Sequence, residues 1–319
     1  MELIQEEKSK NHNLLARDLE RILQNGHSKA LPVSNNLYTN YPEVPKDRET
    51  GLSLIDIRRF DLTWDDVVLN QDNLDILQRV TLENRKQEVL KVYGLCPKSK
   101  LLFCGPPGCG KTLTAKVLAG VIGIPLVYVN LTAVFSSYLG ETATNLKKIF
   151  DYVEKGEWVV FFDEFDAIAR DRNMLNEHGE VKRLVNSLLQ LIDTSSSNSL
   201  FIAATNHESL LDNAVWRRFD EILFFGKPDL DLRTALLKRY LSSIRHSTIN
   251  LDDFAADLDT ATGADIERIC IDSIKTVILR GDRELTCADL KTAVGSYLER
   301  NRIIANSEKA LEVGHDESV

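Results

Sequence analysis

The run Gly105-Pro106-Pro107-Gly108-Cys109-Gly110-Lys111-Thr112 fits the spacing G-x-x-x-x-G-K-[ST]. Residues of these types at this spacing bind polyphosphate. Glycines let backbone N–H groups turn inward around phosphate oxygens, and a helix starting beside them adds the positive end of its dipole. Lys111 can reach the outer phosphates of a nucleotide, and the Thr112 hydroxyl offers a hard oxygen to Mg²⁺. Pro107, Gly108, Cys109 and Gly110 of this run, with Leu113 just after it, complete the residues expected to bind the nucleotide. Further on, the apolar run Trp158–Phe162 ends in Asp163-Glu164. A carboxylate there can hold a metal ion through its water shell, and its neighbour can orient or deprotonate an attacking water. A third apolar run, Phe201–Thr205, ends in Asn206, whose amide could hold that water against the terminal phosphate.

These groups need a scaffold that brings several strand ends to one edge. Five short apolar runs supply it: Lys100–Cys104, Leu126–Asn130, Trp158–Asp163, Leu200–Thr205 and Glu221–Phe225. Continuous apolar runs bounded by turns are expected of strands buried on both faces, as in a parallel sheet flanked by helices. Helical segments are expected between them at Thr112–Val121, Thr142–Val153 and Gly179–Ile192. The phosphate-binding run lies between a strand and a helix, as its chemistry requires. After Pro228 only helical patterns follow, at Leu230–Ser243, Leu251–Leu258, Ala264–Leu279 and Thr286–Asn301. Thr286-x-x-Asp289 resembles a capping box with Asp in place of Glu. The expected architecture is therefore an α/β domain over residues 62–227, with a five-stranded parallel sheet, followed by a small all-α domain over 228–302. Residues 1–30 read as a helix, with Leu15, Leu19 and Ile22 on one stripe that needs a partner surface. The stretch 31–61 reads as a linker, and 303–319 as a frayed acidic tail.

Composition narrows the function by exclusion. The chain has 319 residues, of which 43% are hydrophobic and 27% charged, a globular composition. Its net charge of −9 disfavours a general nucleic-acid binder, because phosphate backbones need a cationic surface. The most apolar stretch, Val117–Val129, is interrupted by Pro125 and falls short of the roughly 20 residues that span a membrane. Five cysteines without a C-x-x-C pair, and an N-terminus without a secretory signal, lead us to expect a cytoplasmic protein. Six histidines lack ligand-like spacing, so no structural metal is expected. Neither H-E-x-x-H nor G-x-S-x-G occurs, so any proteolysis would fall to another protein. Cys109, among backbone N–H groups at a helix start, is expected to favour its thiolate.

Taken in order, these motifs resemble the AAA+ ATPases, a P-loop NTPase superfamily, and within it the AAA clade of protein unfoldases, severing enzymes and remodellers. The resemblance covers about Leu62 to Arg302 and implies ATP and Mg²⁺ as ligands, with the helical domain as a lid. Trp64-Asp65-Asp66-Val67 is similar to the family's segment beside the adenine, with Asn70 standing where many members have glycine. Thr262-Gly263-Ala264-Asp265 is similar to the lid motif that packs near the base; Asp265 stands where some branches carry an arginine. Leu211–Asp220 resembles the arginine-finger segment, and either Arg217 or Arg218 could reach across to a neighbouring copy. Ser136–Thr142 stands where the family has its first pore loop, which implies that Tyr138 and Leu139 grip an extended polypeptide; His178-Gly179-Glu180 would lie near a second loop. The resemblance thus implies a homo-oligomer, a hexameric ring, acting on protein substrates, with the leader helix free to dock an adaptor or separate protease. A nucleotide-gated scaffold and a nucleic-acid motor are the alternatives.

Overall fold

The computed structural model describes residues 41–135, 139–166, 187–195, 198–211, 213–246 and 249–316. The leader helix, Tyr138, the second pore loop around Gly179 and Asp212 lie outside the described residues. The chain from Val44 onward is one compact unit.

Six strands form one sheet: β1 (Ile55–Arg58), β2 (Lys100–Cys104), β3 (Leu126–Val129), β4 (Val159–Phe162), β5 (Leu200–Thr205) and β6 (Glu221–Phe224), ordered β1-β3-β4-β5-β2-β6. The five expected strands run parallel, for example with Leu102 opposite Ala203 and Phe161 opposite Ile202. The sixth was not foreseen. Within the stretch read as linker, β1 pairs antiparallel with β3, Ile55 opposite Val129. Its sequence, Ile-Asp-Ile-Arg, alternates apolar and charged residues, the pattern of an edge strand with one face in water.

Helices cover both sheet faces. On one side α1 (Gln71–Arg85) and α3 (Lys111–Ile122) bring Leu77, Val80, Ala115 and Leu118 against Leu101, Phe103, Phe161 and Ile202. The other side carries α5 (Leu139–Val153) and helical residues 187–194, which bury Leu146, Ile149, Leu188 and Ile192. Two short helices, α2 (Gln87–Val92) and α4 (Leu131–Phe135), complete the connections, and α6 (Asn213–Trp216) precedes β6. The parallel strands all end at one edge, so Cys104, Phe162 and Thr205 deliver the residues after them to the same place.

Four helices follow as expected: α7 (Leu230–Leu241), α8 (Leu251–Asp257), α9 (Gly263–Arg280) and α10 (Cys287–Asp316). Leu237, Leu241, Phe254, Ile266, Ile269 and Leu290 form their own core, and Val68 packs against it. The last helix does not stop at Asn301; it continues to Asp316, into the segment read as a frayed tail. Among the described residues, no helix is long and apolar enough to cross a membrane.

Candidate active site

The turn between β2 and α3 is shaped by glycines in the left-handed half of backbone space. Gly105 has φ of 133°, and the backbone just past β6 lies behind it; a Cβ there would sit 2.2 Å from the Phe225 carbonyl oxygen. Gly108, at φ of 77°, faces the lid, and a Cβ would come within 2.8 Å of Thr262 Oγ1. The backbone N–H of Ala264 donates to the Gly108 carbonyl at 3.0 Å, so the first turn of α9 rests directly on the phosphate loop. Gly263 and Ala264 line the cavity beside that loop. Asp265 caps this helix: its carboxylate accepts from Thr262 N at 2.9 Å and Thr262 Oγ1 at 2.7 Å.

Lys111 opens α3 and is buried, its ammonium donating to Gly105 O at 2.5 Å, Pro106 O at 2.9 Å and Asn206 Oδ1 at 2.8 Å. Burial pulls its pKa below the usual lysine value, opposed by nearby thiols and by the Asp163 and Asp166 carboxylates. Thr112 Oγ1 donates to Asp163 Oδ2 at 3.0 Å. A hydroxyl and a carboxylate oxygen so close together fit Mg²⁺, which takes few protein oxygens and shares the rest with phosphates and water. Glu164 follows at φ of 51°, the one non-glycine residue at positive φ among the described residues. The strained backbone costs on the order of 1 kcal/mol, and the exposed residue lines the cavity.

Asp166 escaped the sequence reading. It is buried and accepts from the Asn206 backbone N–H at 3.1 Å and from Thr205 Oγ1 at 3.2 Å. The end of β5 is thereby tied to the turn after β4, which sets Asn206 beside Lys111. A second acid two residues beyond Glu164 was the available signal. On the opposite wall Asp66 and Val67 line the cavity from a short 3-10 turn, with Asp66 paired to Arg239 of α7 at 3.3 Å. Asn70 caps α1, accepting from Asn73 N at 2.9 Å, which accounts for asparagine where a glycine was the norm. The cavity these walls line holds about 530 Å³, and Lys111, Thr112, Leu113, Asp163, Glu164 and Asn206 all border it.

Known proteins similar to this chain in sequence are numerous. Residues 101–227 match the family described as "ATPase family associated with various cellular activities (AAA)". An uncharacterized AAA family ATPase, y4kL, of Sinorhizobium fredii is 38% identical over 304 residues, covering 94% of this chain and 89% of that protein. The chain belongs to the AAA ATPase family. It is an enzyme that hydrolyses ATP. A proteasome-activating nucleotidase of Methanococcus vannielii is 30% identical over 260 residues, 79% of this chain and 64% of the relative. The ATP-dependent zinc metalloprotease FtsH 1 of a Thermoanaerobacter species is 31% identical over 268 residues, 80% of this chain and 44% of the relative.

In this AAA ATPase the two arginines differ. Arg218 is half-buried and donates through Nε to Asp193 Oδ2 at 2.8 Å, while Lys100 holds the other oxygen of Asp193 at 2.9 Å. Arg217 is exposed. Neither lines the cavity of its own chain. The nearby Asp220 accepts from the Ser99 and Lys100 backbone N–H groups, at 2.8 and 3.0 Å. One expectation fails. Burial raises the Cys109 pKa more than Lys111 and Lys227 lower it, so the thiol form is favoured in place of the expected thiolate. Leu139 opens α5, and Tyr138 just before it lies outside the described residues.

Proposed function

We propose that this AAA ATPase is a ring-forming protein remodeller whose nucleotide site is completed by Arg217 of a neighbouring copy. The observation that carries the reading is the division of the site. Lys111, Thr112, Asp163, Glu164 and Asn206 converge on one cavity, whereas Arg217 stands exposed and away from it. An isolated chain leaves the developing charge of phosphoryl transfer without that guanidinium, which is worth about 10³-fold or more in related chemistry.

Asp66, Val67, Gly263 and Ala264 would hold the base and ribose end, and Pro107 to Leu113 the phosphates. Lys111 would exchange its loop carbonyls for phosphate oxygens. Thr112 and Asp163 would hold Mg²⁺, which supplies charge neutralisation between the outer phosphates. Asn206, with Lys111 and Asp166 fixing its two ends, would orient a water against the γ-phosphorus. Glu164 takes a proton from that water as its oxygen bonds to phosphorus. The bond to the oxygen bridging β and γ breaks, leaving ADP and phosphate. Arg218, tied to Asp193 in its own chain, would set the segment that presents Arg217.

A protein substrate is favoured because the proteasome-activating nucleotidase and FtsH 1 are relatives over four-fifths of this chain. Tyr138 and Leu139 would contact the polypeptide in a hexameric ring, since an aromatic tip can hold many sequences through non-directional apolar contact. The leader over residues 1–30 would dock an adaptor or separate protease, in the cytoplasm. Glu164→Gln tests the reading: turnover should fall at least about 10²-fold with ATP binding retained. The ATP-trapped variant should co-purify with polypeptide crosslinked at position 138; unaltered turnover, or trapping of DNA alone, would refute it.

A further inference from the structure

The connection from sheet to lid, Phe225-Gly226-Lys227-Pro228-Asp229, places an unassigned cation beside the phosphate loop. Pro228 disfavours a helical conformation in the residue before it. Asp229 caps α7, accepting from Leu232 N at 2.9 Å. Lys227 therefore sits between a strand end and a capped helix, on the wall of the cavity that Gly108–Thr112, Asp163 and Glu164 also line.

Three basic side chains line this cavity: Lys111, Lys227 and Arg239. Lys111 is held by two carbonyls and Asn206, and Arg239 by Asp66. Lys227 is exposed and has neither a hydrogen bond nor an ion pair among the described residues. It lines the same cavity as Cys109 of the loop, and its charge opposes the rise that burial gives the Cys109 pKa. The lid brings carboxylates to the same wall, in Glu267 and Asp229, and the Asp265 carboxylate is occupied by the Thr262 cap. A polyanion entering here meets one cation that has no prior partner.

We propose that Lys227 is a nucleotide-binding residue that contacts the phosphate chain of ATP from the hinge side, opposite Lys111. This deepens the reading of the cavity as the ATP site and rests on it. An exposed ammonium with no ion to give up gains a charge-assisted contact, and the flexible lysine stem allows it to follow the lid.

The full chain is titrated with ATP, ADP and adenosine by calorimetry, for the unsubstituted protein, Lys227→Met and Lys227→Arg. Lys227→Met should bind ATP about fivefold more weakly, the gain of one partly exposed ion pair. Its adenosine affinity and melting temperature should be unchanged, and its ATP affinity should depend less steeply on salt. Lys227→Arg should bind like the unsubstituted chain. Equal ATP affinity in Lys227→Met, or an equal loss for adenosine, overturns the assignment. Failure of the unsubstituted chain to bind ATP would instead overturn the site reading beneath it.

Discussion

Cys109 shows how one residue reports the surroundings of the site. It stands half-exposed in the phosphate loop, with its Sγ 3.9 Å from the Pro107 carbonyl. A helix start favours thiolate, yet burial outweighs that effect and raises the pKa. Alkylation at neutral pH should therefore modify exposed Cys96 and Cys287 before Cys109. Cys104 and Cys270, each pushed up to about 12 chiefly by burial, should react last. Peptide mass mapping over time checks the order. Modification of Cys109 should abolish nucleotide binding by filling the cradle, ATP should slow it, and Cys109→Ala should be resistant; a sensitive Cys109→Ala would refute this. The phosphate loop, Asp163-Glu164 and Asn206 were legible because each ends an apolar run. The Cys109 pKa was not, because burial dominates it and depends on how distant segments pack around the loop, with Lys111, Lys227 and Asp265 adding smaller effects.

At the scale of elements, the capping box at the start of α10 was visible in the sequence, but its partner was not. Asp289 accepts from Thr286 N at 3.0 Å and Thr286 Oγ1 at 2.6 Å, and Arg280 grips both its oxygens, at 2.7 and 3.1 Å. The Arg280 guanidinium, then the Thr286 hydroxyl, holds the Asp289 carboxyl well below the usual carboxylate range. An unfolded chain would protonate this group near pH 4 while the folded lid would not. The stabilisation is therefore complete above about pH 4 and is lost as pH falls towards the lowered pKa. Asp289→Asn should lower lid stability by about 1 kcal/mol at neutral pH. Urea melts of the variant should show a shallower acid loss, and parallel acid curves would refute the linkage. The four lid helices were readable from their periodicity, with ends close to those observed except at α10. The edge strand β1 went unread because four residues between turns carry little signal, although Ile55 and Ile57 alternate with Asp56 and Arg58.

For the whole molecule, Arg217 does not line its own cavity, so on the proposed reading activity would be a property of the assembly. Turnover per chain should rise with protein concentration and then level off, tracking the assembled fraction in analytical ultracentrifugation. Arg217→Ala should cut turnover about 10³-fold with ATP affinity kept. Arg218→Ala should act through its lost pairing with Asp193, lowering thermal stability as well as rate. Full activity in dilute single chains would end the ring account. The contact between Ala264 N and the Gly108 carbonyl carries a mechanical corollary. The 18-residue helix α9 starts on that contact and, at 1.5 Å per residue, is about 27 Å long. On the proposed reading it would act as a lever with its fulcrum on the phosphate loop. A tilt of about 10° at its base would swing the far end by about 5 Å, so a sub-ångström change in the chemistry would reach the rim of the molecule as a stroke.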